Sequence, residues 1–444
     1  MGRELLRNST ILFLLALLVR ACYAIFFVEP EHLLIEDQMQ YLHLAQEFPE
    51  SGFLGISTER MPGYPLFLAI IHSIFGEGML LGIVVVQILL DSVSCVVIAL
   101  MAHFMFGKGF WIAGTISAIN LNMIILSASV LTDTLFLFLF ILFLFSLMKY
   151  LKNEQIIWLF LFVLFISLAT LVRPLTYYLL PILLIWIVGW RLWHRDSILK
   201  IGMLTTLYLA VVVAILGGIV QHNYNQYGAT NLTSDTGRHV LGWIVPATYQ
   251  YSGKGSYQEG LILAKEKLDL ALRRDNLVEL PLNPFEKSSY KANVGKEILL
   301  DFGYGSILKA WISGSIINLL SPSVAFAPAL RSLEHPSFYE TEGDGVVSKL
   351  LNYIKNSNGF LYLSILAVGT IISILFIFLS LIGVLKMFST YSVITTSTLI
   401  LLVGYFLAIT GPVLGLKYRL PIEPILIIFV TYAILNRSAG KDLS

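Results

Sequence analysis

Charge is scarce in this chain, cysteine is scarcer, and neither sign of charge dominates. Only 13% of the 444 residues are Asp, Glu, Lys or Arg, and the formal net charge is +1. That balance provides no broad basic face for a phosphodiester backbone, so nucleic acid is excluded as a partner. The two cysteines, Cys22 and Cys95, lie far apart in apolar stretches, which argues against a disulfide or a cysteine-built metal site. Internal repeats and low-complexity tracts are also missing.

Apolar residues are abundant instead. They make up 57% of the chain with a mean hydropathy of +0.80, whereas in a soluble domain the apolar share is nearer half. This composition describes an all-α, polytopic membrane protein. Apolar runs of about 18 or more residues, set against a hydrocarbon core of about 30 Å, predict about ten transmembrane helices. They fall near 9–28, 79–106, 110–128, 131–151, 156–173, 175–193, 201–221, 359–387, 391–410 and 413–436. The run from Ile11 to Val28 follows Arg3 and Arg7 as a signal peptide would, but it lacks a small-residue cleavage site and is expected to stay as the first helix.

Placing the N-terminus inside puts Lys108, Lys149, Lys152, Arg191, Arg195, Lys200, Lys386, Arg437 and Lys441 on the cytoplasmic side, as the positive-inside rule requires. The first loop, residues 29–64, then lies outside with seven carboxylates against the single Arg60. Asp133, Arg173, the segment 222–358 and Lys417 to Arg419 share that side.

Three regions follow: an N-terminal transmembrane module over 1–221, an external loop region over 222–358, and closing helices over 359–444. The external region is a modest subdomain with a polar helix around 258–275 and an apolar stretch, 307–320, that stops at Ser321-Pro322. That stretch is expected to be re-entrant or interfacial; if it crossed, everything after it would change sides. Residues 61–76 are too short to span and begin at Pro62 and Pro65, so an outer-face juxtamembrane helix is expected there, holding Arg60 at headgroup depth.

Chemistry-bearing residues gather on the outer side. Asp37 and Tyr41 are four apart and share one helix face. Asp37 there can serve as a general base toward a hydroxyl, or simply cap a helix in a solvated loop. Glu59-Arg60 precedes Met61-Pro62-Gly63-Tyr64-Pro65, where a stiff backbone presents an arginine fork suited to a lipid phosphate. A snorkelling anchor is the plainer alternative. Arg173-Pro174 and Lys417-Tyr418-Arg419-Leu420-Pro421 place cations where the positive-inside trend disfavours them, which points to an anionic partner. Asp133, after Thr132, is a second acid or a helix cap. Asp91, at mid-membrane depth, is expected to make a structural polar contact. His222, His239 and His335 fit no compact metal motif, and a divalent metal with Glu59 as one ligand is the cofactor left open.

In their order and common side, these motifs resemble the GT-C superfamily of polyprenyl-phosphate-sugar-dependent glycosyltransferases, in the branch of protein O-mannosyltransferases and the aminoarabinose lipid A transferase. The stretch from Asp37 through Gln38, Met39, Gln40 and Tyr41 to Ala45 resembles the first-loop element whose aspartate is the proposed base. Glu59 to Ala69 is similar to the proline-rich element whose preceding basic residue contacts the donor phosphate. Thr132 to Phe136 matches the second acidic element, Arg173-Pro174 and Tyr418 to Pro421 the later basic ones, and His222 to Gly228 the exit from the seventh helix. The resemblance covers the first 230 residues and the last helix; a large folded C-terminal external domain is missing.

It implies a GT-C fold in the plasma (inner) membrane, with a site facing the periplasmic or extracellular side. The partners it implies are a polyprenyl-phosphate-sugar donor, membrane lipids, and a lipid, glycan or protein acceptor offering a hydroxyl or amine. The implied reaction is an inverting single displacement. Asp37 and Asp133 would be catalytic; Arg60, Arg173, Arg419 and Lys417 would hold the donor phosphate; Glu59, Tyr41 and Tyr64 would lie beside the acceptor. Two other classes compete: an O-antigen polymerase or ligase working through Arg238-His239, and a lipid-linked sugar transporter or flippase, which would need more polar groups at depth.

Overall fold

The computed structural model describes residues 2–28, 37–327, 330, 333, 337–338, 340–357 and 359–436, and all regular structure among them is helical. A bilayer core leaves backbone N–H and C=O groups no partner outside their own helix, so long apolar runs fold this way. In chain order the first helices are α1 (Arg3–Phe27), α2 (Asp37–Gly55), α3 (Gly63–Phe75), α4 (Met79–Phe106), α5 (Phe110–Ala118) and α6 (Leu121–Ser127). Next come α7 (Asp133–Asn153), α8 (Ile156–Val172), α9 (Leu179–Trp193) and α10 (Ile198–Tyr227). The loop region contains α11 (Thr236–His239), α12 (Val245–Tyr251), α13 (Tyr257–Arg274), α14 (Pro284–Phe302), α15 (Tyr304–Leu320) and α16 (Val346–Asn356). The chain closes with α17 (Phe360–Thr390), α18 (Val393–Thr410), α19 (Leu416–Arg419) and α20 (Glu423–Leu435).

Eight segments are long and apolar enough to cross a membrane, and the pair α5 and α6, bent by 52°, makes a ninth. Helix α8 has 17 residues, yet it too crosses: Arg173 at its end pairs with Asp133, the first residue of α7, so α8 retraces the whole of α7. Counted with α8, the described residues contain ten apolar segments where the sequence predicts ten, with the 110–128 segment broken in two. Helix α3 adds none, although its apolar sequence runs on toward α4. The Tyr64 hydroxyl donates to Gln87 at 2.9 Å, and a Cβ on Gly82 would come within 2.6 Å of the Phe75 ring. Helix α3 therefore folds back along the first turns of α4.

The segment expected to be re-entrant is α15, and it stays on one face. Lys309 donates to the Ser252 carbonyl at 3.1 Å and Asn318 to the Val413 carbonyl at 2.8 Å, so both halves of the helix touch the same side. The last three spans therefore keep their direction relative to the first seven. The polar helix expected around 258–275 is α13, opened by a reciprocal capping box between Ser256 and Glu259. It packs with α12 and α14 around Val245, Ala264 and Val294. At the opposite face, Lys152 reaches the Phe104 carbonyl, Arg191 meets Tyr150 and Glu154, and Lys386 reaches the Asn436 carbonyl. Glu29, Glu31, Glu36, His335, Arg437 and Lys441 lie outside the described residues.

Deep in the bundle, Asp91 makes the structural contact expected of it, with a partner the sequence reading did not name. Arg20 of α1 is fully buried, and its Nε lies 2.5 Å from the Asp91 carboxylate. The same guanidinium donates to the Ala118 carbonyl at 3.1 Å and the Ser117 carbonyl at 3.4 Å. Those carbonyls end α5, where the bend interrupts the helical ladder, and in hydrocarbon they would be costly to leave unmet. Arg20→Met strands Asp91 and should lower stability by about 3–5 kcal/mol. Arg20→Met/Asp91→Leu should recover most of that loss in thermal unfolding of the detergent-solubilised protein.

Candidate active site

Asp37 begins α2, and Gln40 and Tyr41 follow one turn later on the same face. Arg60 reaches them from the loop between α2 and α3. That loop is held locally, because the Ser57 hydroxyl accepts from the Glu59 and Arg60 amides at 3.1 Å each. It is also seated from below: a Cβ on Gly63 would meet the Leu171 carbonyl oxygen at 2.6 Å. Glycine is thus required where α3 starts against the end of α8, the helix that delivers Arg173.

The Arg60 fork makes one contact to each of three side chains and a second to Gln40. It lies 2.5 Å from Asp37 Oδ1, 2.8 and 3.0 Å from Gln40 Oε1, and 3.4 Å from the Tyr41 hydroxyl. Its guanidinium also stands 5.2 Å over the Tyr41 ring. Lys417 Nζ approaches the other Asp37 oxygen at 3.9 Å. Tyr41 packs edge-on against Tyr64 at 5.2 Å. Beyond Tyr64, Gln87 donates to the Ser127 and Ser129 carbonyls at 3.2 and 2.7 Å. Asp133 is paired with Arg173, which lies 5.5 Å over the Phe136 ring. Thr132 makes no side-chain cap for α7, and the carboxylate of Asp133 is used on the arginine.

Tyr41 joins the two pairs. Burial pushes its phenol above the ordinary value; Arg60 and Arg173 draw it down, and Asp37 and Asp133 push it up. It therefore remains a neutral hydroxyl among four charges. Burial works against the Arg60 charge too, but Tyr41 and Asp37 more than offset it and hold the guanidinium above its usual value. The two acids differ in access. The Asp37 side chain is 40% exposed and that of Asp133 only 2%, so Asp37 is the acid open to water.

Other expected residues are placed differently. Glu59 is exposed, within electrostatic reach of Arg238. Arg238, which the sequence offers to a competing enzyme class, is brought to the same place. Ser234 donates through its amide to the Thr58 carbonyl at 2.7 Å, and four residues on Arg238 lies within reach of Glu59 and Asp37 while paired to Asp235 at 2.6 Å. His239 is held below its usual pKa chiefly by burial.

Arg419 is not brought to the Asp37 group. It is 6% exposed, paired to Glu423 at 2.5 Å, and donates to the Leu319 and Ser321 carbonyls at 2.9 and 3.2 Å. Glu423 in turn accepts from Asn120 and Asn122. The i,i+4 spacing of Arg419 and Glu423 was the available signal for this pair. Among the described residues no three His, Cys, Asp or Glu side chains gather where they could hold a metal ion.

Residues 59–216 match the family described as dolichyl-phosphate-mannose-protein mannosyltransferase. That stretch, about a third of the chain, is similar to a GT-C glycosyltransferase family. The match includes Glu59, Arg60, Tyr64, Asp133 and Arg173; Asp37, Tyr41, Lys417 and Arg419 lie beyond it. Among solved structures the chain is similar to ArnT from Cupriavidus metallidurans in the apo state, at 14% identity and a TM-score of 0.40, covering 97% of this chain and 77% of that one. Against ArnT from the same organism bound to undecaprenyl phosphate the values are 11%, 0.34, 99% and 77%. Scores this low add no weight to the assignment. The comparison with curated proteins finds no match. The protein is thus a multi-pass membrane protein whose residues 59–216 match a glycosyltransferase family.

Gly63→Ala tests how the site is seated. The added methyl forces α3 off α8 and separates Arg60 from Arg173. Turnover should fall by about 10²-fold, as for a misplacement of about 1 Å, while the far-face pair Arg191–Glu154 and overall helicity by circular dichroism persist.

Proposed function

We propose that this protein moves a sugar from a polyprenyl-phosphate-linked donor to an acceptor hydroxyl or amine, with its site on the outer face of the plasma membrane. The observation that carries the proposal is the convergence of Asp37–Arg60 and Asp133–Arg173 on one buried phenol, with Lys417 beside Asp37. Cations outnumber acids in that group, and an incoming phosphate gives them a partner. The lysines and arginines on the opposite face support the outward orientation.

In the mechanism that follows, the donor phosphate draws Arg60, Lys417 and Arg173 toward itself. An arginine fork matches two phosphate oxygens. Asp37, relieved of its cations, accepts the proton of the acceptor hydroxyl or amine. The acceptor's electron pair forms the new bond at the anomeric carbon as the bond from that carbon to the phosphate oxygen breaks. Prenyl phosphate departs with the electron pair and its added charge is met by the same cations. Asp133, enclosed and bound to Arg173, positions that arginine, and neutral Tyr41 donates a hydrogen bond toward the group. Arg419 braces the loop that carries Lys417.

Purified protein supplied with prenyl-phosphate sugars and candidate acceptors should transfer sugar with inversion at the anomeric carbon. Asp37→Asn should slow transfer by about 10²–10⁴-fold, the range of a general base. Retained configuration in the product, or full activity in Asp37→Asn with loss in Arg238→Ala, would overturn the proposal in favour of a different enzyme class.

A further inference from the structure

At the face opposite the site, α4, α7 and the start of α18 enclose a pocket. Met105, Met148 and Leu151 line it on one side; Tyr391, Ser392 and Thr395, where α17 turns into α18, line the other. Lys152 stands at its mouth and donates to the Phe104 carbonyl at 3.2 Å. Lys149, one turn earlier, lies 3.8 Å over the Phe104 ring and 5.3 and 5.5 Å over Phe145 and Trp158. Lys152 shares the Phe104 ring at 4.7 Å. Lys152 lines the pocket and Lys149 does not, but both ammonium groups stand close to the Phe104 ring that lines it.

Two basic residues on this face, Arg191 and Lys200, are paired. Arg191 has Glu154 at 2.6 Å and Asp196 at 3.3 Å, and Lys200 has Asp196 at 2.9 Å. Among the described residues neither Lys149 nor Lys152 is ion-paired, and Glu154, the acid nearest in sequence, is taken by Arg191. Phe104 and Lys149 sit in the last turns of their helices, at the depth of lipid headgroups. Two like charges held together without a counter-ion repel, and an anion between them reverses that cost. The methionine and leucine side of the pocket is unsuited to a free, fully hydrated anion and suited to an acyl chain.

We propose that this pocket holds an anionic phospholipid, its phosphate between Lys149, Lys152 and the hydroxyls of Ser392 and Thr395, and a chain along Met105, Met148 and Leu151. Basic pockets between transmembrane helices bind such headgroups elsewhere. The site ties α7 to the connection between α17 and α18, so its ligand should stabilise the fold.

The test is thermal unfolding of the full-length protein in uncharged detergent with phosphatidylglycerol, phosphatidylcholine or inorganic phosphate added, alongside native mass spectrometry to count retained lipid. Phosphatidylglycerol should raise the midpoint of the wild type, and phosphatidylcholine and inorganic phosphate should not. Lys149→Gln/Lys152→Gln should lose the shift and the retained lipid; Lys149→Arg/Lys152→Arg should keep both, which separates loss of charge from loss of fold. Equal stabilisation by phosphatidylcholine, a full response to inorganic phosphate alone, or an undiminished response in the glutamine pair would overturn the proposal.

Discussion

A charge carried into a bilayer must meet its opposite, and this constraint organises the protein. Among the described residues each fully enclosed arginine has a carboxylate: Arg20 has Asp91, Arg191 has Glu154 and Asp196, and Arg419 has Glu423. Each pair fastens separate elements. Arg20 joins α1 to α4 and to the frayed end of α5. Arg191 joins α9 to the turn after α7. Arg419 ties the last helix to α15 through two backbone carbonyls. Removing one partner of such a pair costs far more than the pair contributes over an apolar substitute, so these contacts specify geometry more than they add stability.

The same interaction becomes usable where it meets water. Asp37 is 40% exposed while Arg60 is 14% exposed, so their pair is open to exchange with a ligand in a way that Arg20–Asp91 is not. Beside it Asp133–Arg173 is more enclosed and Lys417 stands at the edge. Tyr41, on the face of α2 between them, couples two pairs drawn from helices remote in sequence. The proposed function rests on a graded burial of one kind of contact, fully enclosed in the core and half-open at the candidate site.

Much of this was legible in the chain. Run length placed the long apolar helices. The four-residue spacing of Asp37 and Tyr41, and the prolines after Arg60, marked residues that the structure brings together. Pairings between distant helices were not legible: nothing local in Asp133 says that its partner is Arg173 and not the amides of its own helix. Arg20 was overlooked because a lone arginine inside an apolar run looks like an interruption, and its partner is 71 residues away. Arg419 was assigned to the donor because of its side of the membrane, although Glu423 one turn on already offered it a closer partner. Helix α3 shows a different limit, since composition alone continues it into α4 and only the Tyr64–Gln87 contact folds it back.

The central claim is that Asp37 acts on the acceptor while the cations around it act on the donor phosphate. Equilibrium binding of a sugar-free prenyl phosphate separates the two roles. The account predicts that Asp37→Asn binds it at least as tightly as the wild type, because an acid competing for Arg60 and Lys417 has been removed, and that Arg60→Gln binds it more weakly. Loss of binding in Asp37→Asn, or wild-type binding in Arg60→Gln, would contradict it.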